Sequence, residues 1–116
     1  MWMFEATVVA AGEFPEHQTF TVALAEDPDG GEWLEIQKTL SFDEQDRRLG
    51  MDTYCLCTEK GTAYGGVTSW ALARDSLEIR LDAKTARMLG VDGGFLVRFP
   101  PEYRQLLEES LGRVFA

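Results

Sequence analysis

The sequence predicts an α+β fold: a mostly antiparallel, twisted sheet of about six or seven strands, with a short helix and a C-terminal helix packed on it. Three observations lead there. Alternating apolar and polar runs fill the first two thirds of the chain, which is the period of half-buried strands. The turn-forming segment AEDPDGG separates two of these runs and joins them as a hairpin. Beyond residue 82 the spacing becomes helical, most clearly over Glu102–Val114.

Met3–Ala10 is rich in β-branched and apolar residues and reads as the first strand, broken by the Gly and Pro of Gly12–Glu16. Gln18–Ala25 sets Phe20, Val22 and Leu24 on one face and Thr19, Thr21 and Ala23 on the other. Trp33–Thr39 sets Trp33, Glu35, Gln37 and Thr39 opposite Leu34, Ile36 and Lys38. Thr53–Thr58 and Gly66–Leu72 read as strands flanking EKGTAY, a hairpin-like connection, after which Gly65–Gly66 form a bend or bulge at the start of the second strand. Ser76–Leu81 turns Leu77, Ile79 and Leu81 inward. Asp82 is a suitable N-cap for Ala83–Leu89, and Gly90 a suitable stop. Phe95–Phe99 is the last strand. In the C-terminal helix Tyr103, Leu106, Leu107, Leu111 and Val114 form one apolar stripe, a face for docking on the sheet.

A chain of 116 residues with 45% hydrophobic content suits one domain spanning 1–116, with a core that needs neither disulfide nor metal. No apolar run approaches the ~18 residues of a membrane span. Glu5 and the lack of basic residues near Met1 argue against a secretory signal, so the expected compartment is the cytoplasm. Cys55 and Cys57 point the same way along one strand, with Cα atoms roughly 6.5–7 Å apart, at the limit of disulfide geometry. Packed, reduced thiols are expected. Charge is uneven. Residues 1–46 carry eleven acids and one base, Lys38, a net −10; the remainder nets +1. Such an acidic field repels nucleic acid and attracts basic proteins.

Ser41–Tyr54, SFDEQDRRLGMDTY, concentrates Asp43, Glu44, Asp46 and Asp52 with two arginines in one connection between strands, where proteins often carry function. Ser41 and Glu44 have capping-box spacing, Phe42 and Leu49 are candidates to pin the turn, and Gly50 is a helix stop. Arg47 and Arg48 are placed to neutralise the acids. The four carboxylates lack the spacing of a calcium loop, and no nucleophile elbow, phosphate-binding loop or metalloprotease helix occurs elsewhere. His17 stands alone in a Pro-flanked loop. No enzyme, cofactor or metal is therefore expected. The carboxylates, with Tyr64 as an aromatic anchor, are the candidate partner-binding residues, because interface energy concentrates at aromatic groups inside a polar rim.

The runs Phe42-Asp43-Glu44-Gln45-Asp46, Leu49-Gly50-Met51-Asp52-Thr53-Tyr54 and Tyr64-Gly65-Gly66-Val67 resemble bacterial immunity protein family ten over roughly residues 33–116. The resemblance extends to the order that follows: a strand, a short Ala-rich helix ending in Leu-Gly, a strand, and a helix ending near Arg113-Val114-Phe115. It implies an immunity protein of a polymorphic toxin system that occludes a cognate toxin by stoichiometric binding. The charge of the first 46 residues adds the expectation of a basic toxin, such as a nuclease. The competing reading is a small-molecule or protein-binding α+β module without a toxin partner, with Trp2, Trp33 and Trp70 lining a pocket.

Overall fold

The computed structural model describes residues Met1–Ala116. Nine strands form two sheets. Strands β1 (Trp2–Glu5), β7 (Val67–Leu72), β8 (Ser76–Leu81) and β9 (Gly94–Arg98) make a four-stranded sheet in the order β1-β9-β8-β7. Strands β2 (Val8–Phe14), β3 (Thr19–Asp27), β4 (Gly30–Thr39), β5 (Cys55–Thr58) and β6 (Gly61–Tyr64) make a five-stranded sheet in sequential order. Every neighbouring pair is antiparallel except β1 with β9. Helix α1 spans Glu44–Arg48, α2 Ala83–Met88 and α3 Arg104–Val114, the last preceded by a 3₁₀ turn at Pro101–Tyr103. The α+β, mostly antiparallel class predicted from the sequence is the one found.

Two strand readings change. The run Met3–Ala10 divides between sheets at Ala6–Thr7. The Ala6 N–H donates to the Arg98 carbonyl of one sheet (2.7 Å) and the Thr7 N–H to the Ala25 carbonyl beside the other (2.9 Å). Periodicity conceals this break because both halves are apolar. Within EKGTAY, Gly61–Tyr64 is itself a strand, so the hairpin closes at Glu59–Lys60 and pairs β5 with β6, not with β7. Gly65 and Gly66 then carry the chain to the other sheet, both with positive φ (70° and 91°). A side chain on Gly66 would collide with Thr85 of α2, so this bend needs glycine for both reasons.

The inner face of the five-stranded sheet is fixed by the register Ala11–Val22–Ile36–Leu56–Ala63 and the flanking Leu24–Leu34 pair. It shares one core with Leu77, Ile79, Phe95 and Val97 of the four-stranded sheet and with Leu107, Leu111 and Val114 of α3. Leu106 lies outside that stripe, 36% exposed, while Ser110 is buried within it. Phe115 joins the layers, meeting Tyr54 edge-on at 4.9 Å and Trp70 at 5.7 Å. Asp82 caps α2 by accepting the Thr85 N–H (2.7 Å), and Gly90 ends it at φ 66°.

Candidate recognition surface

With α3 and the four-stranded sheet on its inner side, the five-stranded sheet leaves its outer face bare. Strand alternation and the observed register assign that face row by row: Ala10, Ala23, Glu35, Cys57 and Thr62, then Gly12, Thr21, Gln37, Cys55 and Tyr64. Phe14, Thr19 and Thr39 follow at one end, and Val8, Ala25 and Trp33 at the other. An open depression of about 600 Å³ occupies part of it, lined by Phe14, Glu16, His17, Thr19, Thr21, Glu35 and Gln37. Its lining is largely polar, unlike the apolar enclosure that holds small molecules. Trp2 packs on Phe4 and Phe95, and Trp70 on Phe115, so the three tryptophans line no common pocket.

Thr21 and Thr19 lie with their hydroxyls 3.2 Å apart, and the Gln37 amide donates to Glu35 (2.8 Å). Cys55 and Cys57 are free thiols whose sulfurs approach to 3.8 Å. The two thiols share one hydrogen across that gap; sharing it, with help from the Thr62 hydroxyl, lowers the Cys57 pKa to about 6, and the same sharing together with burial pushes Cys55 up.

The acidic connection borders this sheet. Strand ends Phe14, Thr19, Thr39, Cys55 and Tyr64 fall at one end, so the 15–18 loop and the 40–54 connection meet there. The Leu40 N–H donates to the Gln18 carbonyl (2.8 Å). Gln18 itself sits at φ 53°, a left-handed geometry uncommon for a residue with a side chain.

Within the connection, the cap differs from the Ser41–Glu44 expectation. Asp43 is the N-cap and Asp46 the N3 partner: Asp43 Oδ1 accepts the Asp46 N–H (2.7 Å), and Asp46 Oδ2 accepts the Asp43 N–H (3.1 Å). Asp at both positions performs the reciprocal bonding usually assigned to Ser and Glu, and the shift starts the helix at Glu44. Gly50 stops it at φ 71°. Phe42 is half-buried, whereas Leu49 is 63% exposed and pins nothing. Arg47 and Arg48 form no ion pair with the acids; the ion pairs of the molecule are Arg80–Glu78, Arg104–Glu108 and Arg113–Glu13.

Asp43, Glu44 and Asp52 are exposed, and Asp46 is half-buried. Tyr64, 45% exposed, closes the outer face at the β6 edge. Burial chiefly raises its pKa, and the neighbouring Cys55 and Cys57 thiols and then the Asp46 charge add to the effect. The structure thus joins Asp43 to Asp46 and, through the Cys55–Tyr64 pairing, sets Tyr64 at the end of the connection. Glu44 and Asp52 remain separate surface charges with no side-chain bond.

The profile of the family described as Immunity protein 10 matches residues 5–106. The chain belongs to that family. The match reaches well into the N-terminal strands, beyond the segment from residue 33 on which the resemblance was carried, and takes in the whole five-stranded sheet with its bare face. Membership in an immunity family gives the protein a toxin-neutralising role. No curated protein and no solved structure matches the chain. No helix of the fold is long and apolar enough to cross a membrane.

Sequence reasoning marked the acids and Tyr64 but passed over the bare face. The signal was present in part. Both Thr19–Thr21–Ala23 and Trp33–Glu35–Gln37 separate from the apolar rows by simple alternation. That no helix covers their side depends on where α3 docks, which alternation does not encode.

Proposed function

We propose that the protein binds one cognate bacterial toxin domain in the cytoplasm and neutralises it by stoichiometric occlusion, without catalysis and without a cofactor, nucleic acid or membrane partner. The family match carries this reading. Charge defines the expected toxin. The net −10 of residues 1–46 attracts a basic surface, and carboxylates can stand where a nuclease expects phosphates. Asp43, Glu44, Asp46 and Asp52 supply rim charges, and Tyr64 an aromatic anchor at the end of the sheet. The absence of Arg47 and Arg48 from ion pairs leaves those carboxylates available to a partner.

The test is co-expression with the toxin domain encoded beside the immunity gene, followed by titration of the purified pair. Growth rescue and loss of toxin activity at a 1:1 ratio are expected. Unimpaired toxin activity at excess immunity protein would remove the reading. Asp43→Asn and Asp46→Asn are suitable probes of the rim, because an Asn side-chain oxygen still accepts the N–H that each Asp accepts, while the charge is lost. Each is expected to weaken binding about threefold to tenfold, as rim charges do.

A further inference from the structure

We infer that the main docking surface is the bare outer face of the five-stranded sheet, and that it receives a basic protein surface whose arginine or lysine meets Glu35. This rests on the toxin-binding reading and assigns it a place. Three features support it. First, the face carries no lysine or arginine; its one carboxylate, Glu35, stands mid-sheet on β4, and Glu16 lines the same depression. A cationic partner meets complementary charge and no repulsion. Second, its β2–β3 side is built from small side chains, among them Ala10, Gly12 and Ala23, which let another backbone approach closely. Phe14, Trp33 and Tyr64 stand at its margins, residue types that concentrate interface energy.

Third, the face supplies a large share of an interface. At about 3.3 Å per residue and about 4.8 Å between strands, the paired face amounts to roughly 450 Å². That is about half of the ~800 Å² each partner contributes to a standard interface. The 15–18 loop and the 40–54 connection adjoin it at one end, so a partner seated on the sheet reaches the acidic rim without a second footprint. The sheet face anchors the partner and the carboxylates steer it.

Binding of the neighbouring toxin domain, inactivated at its own active site, is measured by calorimetry to the unsubstituted protein and to three variants. Ala23→Arg fills the β2–β3 side of the face with bulk and positive charge; Thr62→Arg does so at its exposed β6 margin, where folding is undisturbed. Ala71→Arg, on the exposed outer side of the four-stranded sheet, is the control. The expected result is at least a hundredfold loss for Ala23→Arg, about tenfold for Thr62→Arg, and none for Ala71→Arg, with Cys57 protected from alkylation in the complex. If the unsubstituted protein binds and both face variants bind within threefold of it, the docking assignment is overturned while the toxin reading stands. The assignment also fails if the protein alone dimerises and Ala23→Arg abolishes only the dimer. If the unsubstituted protein does not bind, the toxin reading fails and takes this inference with it.

Discussion

Cys55 and Cys57 differ in acidity because one thiol serves the other. At a sulfur–sulfur distance of 3.8 Å, ionising Cys57 gains the Cys55 hydrogen, whereas ionising both places two charges on one strand face. The first proton lost from the pair is therefore the easier one, with the Cys57 pKa lowered to about 6. Iodoacetamide should label Cys57 first, with a rate that rises through a midpoint near that value. Cys55→Ala removes the donor, and the midpoint should climb toward the ordinary ~8.5 of a free thiol. An unchanged midpoint, read by mass spectrometry across pH, would show that Cys55 is not the cause. Asp43 works on the same scale through backbone bonds. Asp43→Ala leaves the Asp46 N–H without its cap, at a cost of about 1 kcal/mol. Helix α1 buries no residue, so the loss stays local. Amide exchange across Glu44–Arg48 should accelerate while the melting temperature moves by less than about 4 °C.

Elements in this fold are held by side chains that two layers share. Leu111 is fully buried where α3 meets the sheets. Leu111→Ala should cost about 3 kcal/mol and lower the melting temperature by roughly 10 °C, measured by circular dichroism. Gly94 opens β9 at φ 148°, and a side chain there would press into the Ile79 carbonyl of β8. Since backbone cannot swing aside, Gly94→Ala should cost about 3 kcal/mol or more. The Asp82 cap adds a pH dependence. The Thr85 N–H holds its carboxyl below the usual range, so the stability it brings is present above the unfolded carboxylate pKa and is lost as pH falls through the folded one. Asp82→Asn, which caps without charge, should make the acid limb of the melting curve shallower. These elements differ in how far the sequence discloses them. The caps at Asp82 and Gly90 and the AEDPDGG hairpin were legible because each depends on bonds within a few residues. The split at Ala6–Thr7 was not, since it depends on which sheet each apolar half joins. Nor was the β5–β6 hairpin, whose four-residue second strand is too short to establish a period.

For the whole molecule, the acidic connection was legible because its charges are consecutive in sequence, but its neighbourhood with the 15–18 loop and with Tyr64 comes only from sheet register. That neighbourhood gives the uneven charge a direction. Eleven of the acids lie in residues 1–46, and those residues form β1 to β4 and the first part of α1, including most of the bare face. The field should therefore act on association more than on the final complex. On the proposed reading, a basic toxin is drawn from beyond contact distance, while apolar and aromatic groups of the sheet face set how long it stays. Stopped-flow association should slow about tenfold or more between roughly 0.05 and 0.5 M salt, as screening shortens from about 14 Å toward about 4 Å. The dissociation rate should change far less. Asp43→Asn combined with Asp46→Asn should lower the low-salt association rate and leave the high-salt rate near that of the unsubstituted protein. Thr62→Arg should raise dissociation at every salt concentration. An association rate indifferent to salt would mean that the acidic half does not steer the partner, and that the charge serves solubility alone.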